Sequence, residues 1–226
     1  MLTDSRPRQP LAKGKPDEYL HRISEKIDMT TLSGRLGHIA AGTAAALLLA
    51  ACGATRLPQP ITGYTCCNLR DNGGWIFSDN VQDGKLIPAG EPVTLTSTKR
   101  TYYVYGEFAQ RSIGLWDTQS DNSGQVFAWV HRIVVSEDPR PKIAALPPEI
   151  RDAIHAAKVV RGMTRQQVLW AVGYPGLDET PDLAGPLWRY WTPKAKKTVD
   201  IQFGPDGKVV AISGPPASVQ LMSVAP

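Results

Sequence analysis

Chemistry in this chain of 226 residues has to come from a short set of side chains. Three cysteines stand as Cys52, directly after Leu49-Ala50-Ala51, and as the adjacent pair Cys66-Cys67. Of the histidines beyond Cys52, His131 stands in an apolar, helix-like run and His155 on the first helix of a second domain, each without a second base or nucleophile nearby in sequence. A lone His in such a setting is more often a core or surface residue than a catalyst. Asp71 with Asp79, and Asp178 with Glu179, are the available carboxylate pairs, but each sits among turn residues, where Asp is favoured for its local hydrogen bonds. Gly-x-Ser-x-Gly, His-Glu-x-x-His and phosphate-cradling glycine patterns are absent from the sequence. The residues therefore predict a protein that is not an enzyme, with no cofactor and no metal site.

Cys66 and Cys67 predict a disulfide or a thiol pair. In an oxidising compartment two thiols tend not to stay free. A bond between neighbours strains the intervening peptide, because ordinary bridges want their Cα atoms farther apart than one residue allows. An intermolecular bridge, two buried thiols, or a redox or metal role are the alternatives. Catalytic redox sites usually carry two residues between their cysteines, and a metal needs more ligands than these, so a structural role is favoured.

Cys52 has the more informative surroundings. Arg35 and His38 precede an apolar run from Ile39 to Ala51 that is closed by small residues, the layout of a secretory signal and too short for a stable membrane span. Leu47-Leu48-Leu49-Ala50-Ala51-Cys52 resembles the lipobox of bacterial lipoproteins, in which the thiol is diacylated, the chain is cleaved, and the new amine is acylated. Residues 1–51 are thus read as a signal region with its lipobox at 49–52. Met29 opens a normal-looking signal and is the expected translation start; the charged, proline-containing stretch before it is unlike any n-region. Acyl chains at roughly 0.8 kcal/mol per buried methylene hold such a chain durably on a bilayer. Gly53 follows, not the Asp that resembles an inner-membrane retention signal, so the expected address is the periplasmic face of the outer membrane.

Stepping past residue 51 removes seven of the 25 basic and five of the 21 acidic residues, leaving 18 against 16. With both signs interspersed there is no basic stripe for nucleic acid, which is not expected as a partner. Residues 52–63 have no periodicity and read as a tether. A small β-rich domain is expected over 64–138, from short runs at Gly74–Phe77, Leu86–Gly90, Pro92–Leu95, Thr101–Phe108 and Ser112–Trp116 separated by Asp71-Asn72-Gly73-Gly74 and Asp83-Gly84. Within it, Thr101-Tyr102-Tyr103-Val104-Tyr105 is either a core strand or a partner surface, with core favoured. Val126, Trp129, Val130, Ile133 and Val134 recur at helical spacing, although Ile133-Val134-Val135 reads equally as a strand. Pro139 and Pro141 mark a linker over 139–146.

The second domain, 147–215, is predicted as two helices and a three-stranded meander, followed by a tail over 216–226. Pro147-Pro148 opens the first helix and Thr164-Arg165-Gln166-Gln167 is a capping box for the second, which Gly173 and Pro175 end. Strands are expected at Leu187–Thr192, Thr198–Phe203 and Lys208–Ser213, joined by Gly204-Pro205-Asp206-Gly207. Trp188, Tyr190 and Trp191 crowd one strand, so alternation leaves at least one large ring on the face opposite its neighbours, a candidate protein-binding anchor. Lys194-Ala195-Lys196-Lys197 is a solvated turn or a contact for anionic headgroups.

Gly162-Met163-Thr164-Arg165-Gln166-Gln167-Val168, Gly173-Tyr174-Pro175, Trp188-Arg189-Tyr190 and Val199–Phe203 with Gly207-Lys208-Val209 are similar to the BamE (SmpA/OmlA) outer-membrane lipoproteins. That resemblance implies an α+β fold in which the small β-rich domain precedes a BamE-like helix-helix-three-stranded antiparallel sheet domain. It also implies a non-catalytic scaffold or accessory role in envelope or outer-membrane protein assembly, with the β-barrel assembly machinery or another envelope protein as partner. The alternative is a periplasmic ligand-binding or redox-active lipoprotein that uses Cys66 and Cys67.

Overall fold

A computed structural model of the chain describes residues 53–100, 102–118, 123–192 and 197–224, all within one compact unit. The signal region and Cys52 lie outside the described residues.

The larger sheet has six strands in the order β3-β7-β6-β5-β1-β8. They are β1 (Thr55–Thr65), β3 (Trp75–Phe77), β5 (Pro92–Lys99), β6 (Tyr103–Phe108), β7 (Arg111–Trp116) and β8 (Val134–Val135), with β2 (Leu69–Asp71) and β4 (Lys85–Ile87) forming a separate ribbon. All neighbours in the large sheet are antiparallel except β3 and β7, which run parallel. Alternation sends Ile76, Val93, Leu95, Val104, Phe108, Ile113 and Leu115 inward. Helix α1 (Ser123–Ile133) closes that core with Val126, Trp129, Val130 and Ile133. The β6–β7 hairpin turns through Ala109 and Gln110, whose φ values of 48° and 64° are of the type I′ kind usually given to Asn-Gly.

Several segments differ from the sequence reading. The expected tether is a strand: Thr55, Arg56 and Ile61 to Tyr64 pair with β5, and Leu57 and Ile61 pack on the core. Pro58 and Pro60 fall where the register shifts between Arg56 and Ile61, which is how the strand accommodates residues without an amide hydrogen. The two readings of residues 126–135 are both realised, since α1 ends at Ile133 and Val134–Val135 then pairs with Tyr64 and Thr65. Residues 140–144 of the expected linker are a short helix, α2 (Arg140–Ala144), held by burial of Ile143. The expected tail contains α5 (Pro216–Met222), whose Met222 is fully buried.

In the remaining part, α3 (Pro148–His155) and α4 (Arg165–Val172) accompany a sheet ordered β11-β10-β9, comprising β9 (Leu187–Thr192), β10 (Lys197–Phe203) and β11 (Val209–Ser213). The capping box is present: Gln167 N donates to Thr164 Oγ1 at 3.3 Å and Thr164 N to Gln167 Oε1 at 2.8 Å. A second core gathers Ile154, Met163, Val168, Val172, Trp188, Tyr190 and Ile201 among others.

The expected architecture, a small β-rich domain followed by a BamE-like helix-helix-three-strand domain, is corrected by this arrangement. The fold is α+β only in the broad sense. It is strand-rich and dominated by a six-stranded mixed sheet, and the small sheet takes α2 and α5 into its core besides α3 and α4. The physical reason lies at the C-terminal end of α4, where the last four carbonyls of a helix need partners from elsewhere. Only Leu169 O is met locally, by Gly173 N at 2.8 Å. Trp170 O accepts from Asn68 N at 3.0 Å, Ala171 O from Asn68 Nδ2 at 2.9 Å, and Val172 O from Asn80 Nδ2 at 2.8 Å and Gln82 Nε2 at 2.9 Å. Asn68 Nδ2 also reaches Ile154 O of α3 at 2.6 Å. The helix pair thus completes its backbone hydrogen bonding with residues of the β-rich half.

Candidate functional site: an aromatic face at one end of the large sheet

The outward residues of three strands are aromatic. Trp75 and Phe77 come from β3, Tyr103 and Tyr105 from β6, and Trp116 from β7; all are half-buried. Register aligns them in two rows across the sheet. One runs Lys99, Tyr103, Trp116, Phe77, and the other Arg56, Ser97, Tyr105, Gly114, Trp75. Gly114 is what permits the second row, because a Cβ there would stand 2.6 Å from the Trp75 ring. Trp75 therefore lies over bare backbone, with the rings of Tyr103, Tyr105 and Trp116 tilted around it at centroid distances of 5.4, 5.7 and 6.2 Å. Trp116 further contacts Phe77 at 5.5 Å and Tyr103 at 5.4 Å. Tilted and edge-on contacts of this kind suit the ring quadrupoles and fix the cluster as a rigid surface.

Polar groups border it. At the β5–β6 turn Arg100 has φ 57° and donates to Tyr102 Oη at 2.9 Å, and Tyr102 packs edge-on against Tyr103. Burial among the rings raises the phenols of Tyr103 and Tyr105 above their ordinary range, with Arg100 pulling the other way. Ser78 donates to Asp117 Oδ1 at 2.7 Å and accepts from Thr118 N at 3.0 Å, closing the ends of β3 and β7. At the far end Arg111 lies 3.4 Å from Asp71. Rings with polar tips over a rigid sheet can hold an apolar or amphipathic surface by contact.

The sequence signal for this face is the i, i+2 repeat: Trp75-x-Phe77, Tyr103-x-Tyr105 and Gly114-x-Trp116. Of the segment Thr101–Tyr105, read as either a core strand or a partner surface, the described residues place Val104 in the core and turn Tyr103 and Tyr105 outward, half-buried.

The residues singled out from the sequence fall elsewhere. Cys66 and Cys67 are bonded to each other with S–S 2.02 Å and are buried in the first core. Trp188 and Tyr190 are corrected as contact anchors: each is 1% exposed, because inward alternation on β9 points both at the helices. Trp188 Nε1 donates to Leu183 O at 3.1 Å and its ring meets Phe203 edge-on, while Tyr190 Oη donates to Gly173 O at 2.9 Å. Burial pushes the Tyr190 phenol well above its ordinary range. Trp191 takes the opposite face as expected, half-buried, with Nε1 donating to Glu179 Oε1 at 3.0 Å. His131 and His155 are exposed on α1 and α3. Of the lysine run, Lys194 and Lys196 lie outside the described residues, and Lys197 is exposed at the start of β10.

The carboxylates pair differently from the sequence order. Asp71 accepts from Gly74 N at 2.6 Å and faces Arg111, whereas Asp79 is influenced by Asp178. Burial first, and then Asp178, raise the Asp79 carboxyl to about 6. Its Oδ1 and Gln82 Oε1 are buried without a donor among the described residues. Among those residues no group of three or more His, Cys, Asp or Glu side chains is placed to hold a metal ion, and no helix is long and apolar enough to cross a membrane. Comparison of the chain with models of protein families, with characterised proteins and with solved structures gives no match.

Proposed function

We propose that this protein is a lipid-anchored, non-catalytic accessory factor of a bacterial envelope, held at the periplasmic face of the outer membrane through acylated Cys52. The observation that carries the reading is the sequence Leu47-Leu48-Leu49-Ala50-Ala51-Cys52 set directly ahead of a folded unit. The described fold adds a rigid aromatic face and two well-packed cores, which suit a protein that works by contact. The assembly machinery for β-barrels is the first partner to test.

Three measurements decide it. Intact mass of protein extracted from membranes should show a mature chain beginning at Cys52 and carrying acyl groups. A Cys52→Ala chain should carry none and should leave the outer-membrane fraction. Cross-linking of the acylated protein in intact cells should then yield envelope-assembly components. Acyl-free wild-type protein would sink the anchor, and capture of none of these components would sink the assembly role.

The redox alternative predicts that changing Cys66 and Cys67 to Ser abolishes activity. Burial of both cysteines in the first core favours a packing role instead, so that variant, which puts two hydroxyls in the core, is expected to lose stability while keeping its captured partners.

A further inference from the structure

The aromatic face lies at the end of the large sheet where β1 begins. Only Gly53 and Ala54 separate Cys52 from β1, so the Cα of Cys52 is within about 11 Å of Thr55 by chain length alone. Thr55 pairs with Thr98, and the next residue of β5, Lys99, pairs with Tyr103; Tyr103 pairs with Trp116, and Trp116 with Phe77. The first row of rings is therefore at the level of the strand end that enters from the anchor. Lys99 and Arg100 are exposed at the turn beside it, and exposed Arg56 heads the second row. Asp117, the acidic residue at this end of β7, is 5% exposed and bonded to Ser78.

We infer that this end of the sheet is a membrane-contact surface, with Tyr103, Trp116 and Phe77 seated at the headgroup level of the bilayer that holds the acyl chains, and Arg56, Lys99 and Arg100 against anionic phospholipid headgroups. The inference rests on the anchored reading of Cys52. Its reasons are geometric and chemical. A two-residue spacer gives the sheet no freedom to stand off from the lipid, Trp and Tyr favour the membrane–water boundary, and basic residues near an anionic surface each strengthen attachment about fivefold. A flat contact also explains why the large rings of this sheet are outward and only half-buried. The second core shows that the chain places Trp188 and Tyr190 inside where packing alone decides.

The test uses the acylated protein reconstituted in vesicles of phosphatidylethanolamine and phosphatidylglycerol whose acyl chains are brominated near the headgroup. Tryptophan emission is expected to be quenched, and the Trp75→Phe, Trp116→Phe double variant to lose more than half of that quenching. Trypsin cleavage after Lys99 and Arg100 is expected to be about tenfold slower in vesicles than in detergent. The Lys99→Gln, Arg100→Gln variant alters an exposed turn and gives up the Arg100–Tyr102 hydrogen bond, so its unfolding temperature should fall by no more than a few degrees while its seated-to-free equilibrium falls roughly 25-fold. Unquenched emission with equal cleavage in vesicles and detergent overturns the inference. So does cross-linking from position 103 to a protein in place of lipid. The mass of the Cys52 acyl group is read on the same sample: acylated but unquenched protein defeats the contact surface alone, and acyl-free protein defeats the anchor.

Discussion

The two sheets each carry a tryptophan-bearing aromatic strand region, and they use it in opposite ways. On β9, Leu187-Trp188-Arg189-Tyr190-Trp191-Thr192 sends Trp188, Tyr190 and Thr192 inward and leaves Trp191 outside, tied to Glu179. On β6, Tyr103-Val104-Tyr105-Gly106-Glu107-Phe108 turns Val104 and Phe108 inward and keeps both tyrosines out, where Trp75 and Trp116 join them. Composition alone would have treated the two as equivalent. What separates them is parity, meaning which of two alternating sets faces the layer that packs on the sheet. The outer face of β9–β10 also carries a bidentate Arg189–Asp200 pair at 2.7 and 2.8 Å.

Truncation is the most direct way to break this contrast. Trp188→Ala should cost about 3–5 kcal/mol, as expected for a fully buried ring. Trp116→Ala, whose ring is half-buried, should cost about 1–2 kcal/mol. Chemical denaturation of both variants measures the difference, and equal losses would mean that the outward rings are as much core as the inward ones.

The seam comes next in size. Asn68→Ala removes the donor to Ala171 O and Ile154 O and the acceptor of Ala89 N, so about 2–3 kcal/mol should be lost from groups left buried without partners. If the halves are coupled through this residue, both cores should still unfold in one transition in the wild type, and the variant should separate them. A single unshifted transition would show that the helix end does not need its borrowed partners.

Asp79 sharpens the same seam by pH. Its carboxyl is raised to about 6 in the folded chain, above the ordinary 3.8, so the folded state binds more protons than the unfolded state between those values. Stability from this group is fully present below the unfolded value and is lost as pH rises through about 6. Asp79→Asn should therefore stabilise the protein by about 1–2 kcal/mol at pH 7.5 and by little at pH 4, flattening the unfolding free energy across that interval. A variant with the wild-type pH profile would refute the assignment. The smallest effect is expected at the other end of α4, where Thr164→Ala removes one side of the capping box at about 1 kcal/mol.

Helix α4 also shows where sequence reading stops. Its N-terminal end was legible, because a capping box is a contract among residues three apart, and Gly173 was legible as a terminator and does take a positive φ of 76°. The C-terminal end was not, since its partners Asn68, Asn80 and Gln82 lie some 90 to 100 residues away and look in sequence like ordinary turn and loop polar residues. The same limit hid β1. Its prolines argue against a strand locally, and only pairing with β5 and packing of Leu57 and Ile61 override them. It likewise hid α2 and α5, where burial of Ile143 and Met222 supplies what short proline-started helices lack by themselves. For the site, each aromatic i, i+2 pair was visible strand by strand, but the order β3-β7-β6 that lays them side by side was not.

The sequence by itself determined the short-range features: the apolar run ending at Cys52, the capping box, the turn residues, the alternation of β6, β9 and β10, and the adjacency of Cys66 and Cys67. These follow from covalent spacing and from interactions that span a few residues. Only the tertiary structure decided which rings are buried, which strands are neighbours, and that the helix pair is completed by the β-rich half. Those choices depend on contacts between distant segments, and their free energy exists only once the two cores have been brought together.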